Sequence, residues 1–101
     1  MTRADARRLL VAYDIPDDRR RLRLAKVLQG FGDRVQYSVF IVDAAPVKLN
    51  RMRLAVAEVI DVRADSVLFC DLGALSSLDA SRFSWLGLER VVTNQEVSFI
   101  V

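Results

Sequence analysis

The sequence predicts an α+β domain in which a split βαβ sheet carries two helices on one face. Three observations predict it. Apolar stretches of strand length alternate with helical patterns in the order β-α-β(β)-α-β. Each helical stretch has a single apolar stripe, so each needs one layer to cover it. Aspartate, glycine or proline punctuates the joins between them.

The first strand is Leu9–Tyr13, ending on Asp14, and its mostly apolar character suits a central strand. Ile15-Pro16 closes it, because proline cannot donate to a strand ladder. Asp17 is a good N-cap for the first helix, and Asp18 places negative charge at the positive helix end. Leu24, Leu28 and Phe31 recur at i, i+4, i+7, with Ala25 and Val27 beside them. Gly30 and Gly32 stop this helix. Residues 35–42 form the next strand region, with Val35, Tyr37, Val39 and Ile41 on one face and Gln36, Ser38, Phe40 and Val42 on the other. The run is long enough for two short strands, and alternation does not locate a turn within 35–43. Pro46 suits the first turn of a second helix, which Leu49, Met52, Val56, Val59 and Ile60 carry to about Val62. Val67–Leu72 is a further strand, Gly73–Ser84 a polar irregular connection, and Leu86–Val92 and Glu96–Val101 two short C-terminal strands. This order is that of a ferredoxin-like sheet with extra C-terminal strands. Spare strand edges favour pairing with a second copy, so a homodimer using residues 73–101 is expected.

A chain of 101 residues, 52% hydrophobic and 28% charged, is globular in composition and sized for a single domain, residues 1–101. No apolar run is long enough to span a bilayer, and residues 1–8 lead into no signal-like segment. A cytoplasmic protein without membrane contact is expected. Cys70 has no intrachain partner and is expected to be inert core.

The net charge of +2 is unevenly spread. Residues 1–53 hold 12 basic and 6 acidic residues, whereas residues 54–101 hold 3 and 7. A polyanion footprint is one reading and a solvated helix face the other. Arg19, Arg23 and Lys26 form a stripe of their own on the first helix, and Arg20 and Arg21 stand near its start.

The chain has no histidine, which removes the commonest general base and metal ligand. It has neither a GxxxxGK[ST] loop nor a CxxC pair. Carboxylate chemistry remains. Asp14 stands at the carboxyl end of the first strand beside the basic helix start. Alone it is a poor Mg²⁺ site, but two copies across a two-fold axis would be adequate. The alternative is a strand-end aspartate bonding to the turn at Ile15–Asp18. Tyr13, Tyr37 and Phe40 suit either base stacking or the core.

The same residues resemble a known family. Tyr13-Asp14-Ile15, Asp17-Asp18, Arg21-x-Arg23 and Gly32-x-Arg34-Val35-Gln36-Tyr37-Ser38-Val39-Phe40 are similar to the second CRISPR-associated core protein family, the small adaptation subunit that partners the CRISPR integrase. Asp65-Ser66-Val67 matches the strand entry after its second helix. The resemblance covers about residues 8–72. It implies a ferredoxin-like homodimer that holds spacer-precursor duplex DNA by its backbone during spacer acquisition. Some members are Mg²⁺-dependent endonucleases on single-stranded RNA or duplex DNA, which leaves an enzymatic role open here. Residue by residue, the resemblance implies Asp14 as catalytic and metal-binding aspartate, with Tyr13, Arg21, Arg23, Arg34 and Phe40 as functional neighbours. Ile41 stands where many members carry a carboxylate, so one acid fewer is available. Arg19, Arg20, Arg21, Arg23, Lys26 and Arg34 are the candidate nucleic-acid contacts. Alternatives are a stand-alone metal-dependent endoribonuclease of toxin type and a single-stranded RNA binder using sheet aromatics. The latter lacks the aromatic RNP pattern.

Overall fold

The structure, a computed structural model, describes residues 5–90. Its elements are β1 (Arg7–Asp14), α1 (Asp18–Gln29), β2 (Asp33–Gln36), β3 (Val39–Ala44), α2 (Pro46–Val59) and β4 (Ser66–Ala74). Two 3-10 turns, Leu75–Ser77 and Ala80–Arg82, follow. The four strands form one antiparallel sheet in the order β2-β3-β1-β4, with both helices on one face. This is the ferredoxin-like arrangement that the element order predicts.

The local signals explain most element ends. Asp17 is extended, and its Oδ2 accepts from the Arg20 backbone N–H at 2.9 Å. That bond satisfies one of the free amides at the start of α1. Pro46 starts α2 behind Ala45, which makes no side-chain cap, and proline there leaves one donor fewer unsatisfied. Gly32 is required by close approach. A Cβ there would overlap the Ile41 carbonyl oxygen and meet Val42 Cγ2 at 2.8 Å. The chain can turn from α1 into β2 against β3 only without a side chain at this point.

The core lies between sheet and helices. Leu9, Val11 and Tyr13 of β1 and Phe40, Val42 and Ala44 of β3 meet Leu24 and Leu28 of α1 and Leu49, Met52 and Val56 of α2. Burying each large aliphatic side chain contributes roughly 1.5–3 kcal/mol. The opposite, open face of the sheet carries Leu10, Ala12, Val39, Ile41, Leu68 and Cys70. On that face Arg8 and Asp43 are register partners and form a bidentate ion pair at 2.7 and 2.8 Å, with side chains only 3% and 4% exposed. The Phe83 ring lies 5.4 Å from the Arg8 guanidinium and helps cover the pair.

Residues 35–42 divide into two short strands, as their length allows, and the structure places the turn the sequence left open at Tyr37-Ser38, between β2 and β3. The alternation therefore holds from Val39 to Val42 but does not continue back through Val35. The register shifts between Arg34 and Gln36, so an irregularity interrupts the period of two just before the turn. Several other sequence expectations change. α2 ends at Val59, three residues before Val62, and β4 runs on through Gly73 and Ala74. Cys70 is exposed, because it shares the open face with Leu68. Residues 86–90 form no strand, and Leu86 and Leu88 are exposed. The remainder of the predicted Leu86–Val92 strand, and all of Glu96–Val101, lie outside the described residues.

Candidate nucleic-acid interface

The α1 apolar stripe turns toward the sheet, so the stripe at i, i+4, i+7 bearing Arg19, Arg23 and Lys26 turns outward. All three are exposed, and among the described residues none has an ion-pair partner. The tight turn at Gly32 leads the chain straight into β2 and brings Arg34 to the same side. Arg34 is held by its guanidinium 5.4 Å from the Phe40 ring centre. Arg19, Arg23, Lys26 and Arg34, with Leu22 and Ala25, line an open groove of about 560 Å³. The fold thus joins a helix stripe to a residue of the next strand, and four basic residues line one groove. Such a groove attracts an anion and repels a cation, and its field is focused by the low-dielectric wall behind it.

The other two candidate arginines are already engaged. Arg20 Nε donates to Asp65 Oδ2 at 2.7 Å and its Nη2 to Oδ1 at 3.0 Å. The Asp65 side chain is fully enclosed and also accepts from the Asp61 backbone N–H at 2.8 Å. The Arg20 hydrogen bond, with that backbone amide, holds the Asp65 carboxyl below its usual range and in turn raises the Arg20 pKa. Arg21 Nη1 donates to the Ile15 carbonyl at 2.7 Å, and Nη2 is paired with Asp18. Asp18 first, and then the Tyr37 side chain, raise the Arg21 pKa. Arg20 and Arg21 therefore tie the helix start to its surroundings, while Arg19 and Arg23 remain available. Sequence spacing alone treats all four alike.

Asp14 is exposed at the end of β1 on the open sheet face. Its expected alternative role, bonding to the following turn, is taken by Asp17, and Asp14 has no hydrogen bond or ion pair among the described residues. α1 and its cations lie on the other side of the sheet. Among the described residues no group of three or more histidine, cysteine or acidic side chains is placed to hold a metal. One chain therefore supplies a single carboxylate, which does not by itself fit Mg²⁺. Tyr13 and Phe40 are buried at 6% and 0% exposure, stacked with ring centres 6.3 Å apart. Both belong to the core, and the Tyr13 hydroxyl has no hydrogen-bond partner. Tyr37, at the hairpin tip, is 71% exposed.

Sequence reasoning singled out neither Asp65 nor the Arg8–Asp43 pair as charge partners. Asp65 lies 45 residues from Arg20, and Asp43 lies 35 from Arg8. A usable signal exists only for the second pair: aligning the first strand antiparallel to the third sets Arg8 opposite Asp43. No local pattern couples Arg20 to Asp65.

Comparison with known proteins places this geometry. The sequence model of CRISPR-associated protein Cas2 matches residues 7–77. A CRISPR-associated endoribonuclease Cas2 of Synechocystis sp. is 43% identical over 63 residues, 62% of this chain and 68% of that protein. A CRISPR-associated endoribonuclease Cas2 of Thermus thermophilus is 75% identical over 32 residues, but that match spans only 32% of this chain and 34% of the relative. Among solved structures, a hypothetical protein of Thermus thermophilus superposes with a TM-score of 0.72 at 31% identity, covering 85% of this chain and 96% of that one. Streptococcus pyogenes Cas2 superposes with a TM-score of 0.68 at 29% identity, covering 79% of this chain and 99% of its own. The family pattern extends over well over half of the sequence, from β1 through β4, and the chain belongs to the CRISPR-associated Cas2 family.

Proposed function

We propose that this protein is a CRISPR adaptation subunit, acting in the cytoplasm as a homodimeric scaffold that grips spacer-precursor duplex DNA by its backbone in complex with the CRISPR integrase. The observation that carries the reading is the groove between α1 and β2, where Arg19, Arg23, Lys26 and Arg34 converge. Three arginine forks and one ammonium match phosphate oxygens, and each phosphate neutralised releases condensed counterions. Backbone contacts of this kind position a duplex without reading its sequence. The second copy would pack on the open sheet face, where Leu10, Ala12, Val39, Leu68 and Cys70 present apolar surface, with residues 73–101 contributing to the dimer. The test is binding of the protein, alone and with its integrase partner, to two duplexes of unrelated sequence. Equal affinity supports the scaffold. A strong preference for one duplex refutes it, because base readout has no place in it.

A second reading is favoured by Asp14, an exposed carboxylate without a partner among the described residues, in a family whose Synechocystis and Thermus members are named endoribonucleases. In a homodimer, Asp14 and its symmetry mate would together hold Mg²⁺ near the two-fold axis. Bound Mg²⁺ supplies charge neutralisation at a phosphodiester and lowers the pKa of coordinated water. The chain's own contribution is the placement of the carboxylate, exposed at the end of the central β1. The same residues would serve a stand-alone endoribonuclease of toxin type. Cleavage of RNA in the absence of the integrase would favour that role over the scaffold.

A further inference from the structure

We infer that Tyr37 is a stacking platform for an unpaired nucleobase beside Asp14. The inference deepens the nuclease reading and rests on it for biological role, though not for binding. Three aromatic side chains occur along β1 and the β2–β3 hairpin, and the fold buries two of them in the core. Tyr37 alone of the three keeps its ring in solvent, at 71% exposure.

Its place is defined by the sheet. Ala12 pairs with Val39, and the Tyr13 amide donates to the Ser38 carbonyl at 3.1 Å. The turn residues Tyr37 and Ser38 therefore lie alongside Tyr13 and Asp14 at one end of the sheet. Arg21 reaches the same end from α1. Its guanidinium is fixed by the Ile15 carbonyl and Asp18. A ring carried on a hairpin tip that the β1–β3 register already fixes loses little freedom when a base settles on it, so less ordering entropy opposes stacking. An exposed ring and a partnerless carboxylate at one end of the sheet offer a single-stranded nucleotide a place for its base and one for its scissile bond. Every base has a π-face, so the platform holds single strands with little sequence preference. In a duplex the base faces are occupied by their neighbours, so Tyr37 contributes nothing there.

The test uses the full-length protein in EDTA, so that binding is read without cleavage. Fluorescein-labelled oligouridylate, oligothymidylate and an abasic strand of equal length are titrated by anisotropy, together with a duplex. The wild type should bind the base-bearing strands about fivefold more tightly than the abasic strand, the lower end of the range for one aromatic stack. Tyr37→Ala should erase that preference, Tyr37→Phe should keep it, and duplex affinity should not change in either. A preference for oligouridylate over oligothymidylate assigns the site to RNA, and equal binding assigns it to either strand chemistry. Loss of cleavage in Asp14→Asn has no bearing on this cycle, so failure of the nuclease reading and failure of the stacking platform are separable. An unchanged base-over-abasic ratio in Tyr37→Ala overturns the inference. So does an equal loss on the abasic strand and the duplex, which would mark a structural role for the hairpin tip.

Discussion

Removing the three outward cations of α1 gives the sharpest measure of the groove. In the variant Arg19→Ala/Arg23→Ala/Lys26→Ala, Arg34 remains in place against Phe40, and the internal ties of Arg20 and Arg21 are untouched. Each lost phosphate contact lowers the magnitude of the log–log salt slope for duplex DNA by about 0.9. Three contacts lower it by about 2.7, and engagement of both grooves of a dimer doubles that to about 5.4. Between about 50 and 200 mM salt, the smaller figure corresponds to an affinity loss about 40-fold shallower than in the wild type. The assay is fluorescence anisotropy at graded salt on two duplexes of unrelated sequence, with the integrase partner present where the free protein binds weakly. The two duplexes should lose affinity alike. Arg20→Ala is the internal control: it removes a charge of the same sign from the same helix, but one committed to Asp65, so it should lower stability and leave the slope alone. An unchanged slope in the triple variant would show that the stripe is only a solvated face. A flattened slope in Arg20→Ala would show that ion pairing does not decide which arginines are available.

Four further outcomes are expected. Gly32→Ala forces a Cβ against the Ile41 carbonyl and Val42, and should destabilise by about 1–3 kcal/mol, seen as a lower urea midpoint; Gly30→Ala, whose Cβ would meet only the Val27 carbonyl at 3.3 Å, should change it far less. Asp65 has a folded-state pKa below its usual 3.8, so its contribution to stability is complete above that value and fades as pH falls through the folded one; urea midpoints between about pH 2 and 7 should show a shallower acid limb in Asp65→Asn. Asp14→Asn should abolish any nuclease activity of the purified protein while leaving its melting temperature and duplex binding unchanged, since the carboxylate is exposed and bonds to nothing among the described residues; surviving activity would place the chemistry elsewhere. Sedimentation equilibrium should return about twice the chain mass of 11.4 kDa, and a monomer at micromolar concentration would refute the dimer.

Much of this architecture is legible along the chain because its causes are local. Asp17 caps α1 through an amide three residues away, and Pro46 begins α2 by its own ring geometry. Leu24 and Leu28, and Leu49, Met52 and Val56, declare which helix faces are buried. The hairpin at Tyr37-Ser38 is harder to read. Its turn contains no glycine, asparagine or proline, and the alternation of apolar residues runs across it without a visible break. The exposure of Cys70 escapes the sequence for a related reason. An apolar strand composition shows that a strand is covered, but does not show that the helices cover only one of its two faces.

Residue order alone is enough for the succession of elements, the sign and location of the excess charge, the lack of histidine and of a second cysteine in these 101 residues, and the family pattern from Tyr13 to Phe40. Which of those residues can meet a ligand is settled only when the chain folds. Arg20 and Arg23 are chemically identical and three residues apart, yet one is paired with an enclosed aspartate and the other faces an open groove. Tyr13 and Tyr37 differ as sharply, one within the core and one at a hairpin tip. The physical reason is that helix and strand periodicity reports only the face on which a side chain leaves its own backbone. Whether that side chain then finds a carboxylate, an aromatic ring or solvent depends on what the folded chain brings there from tens of residues away.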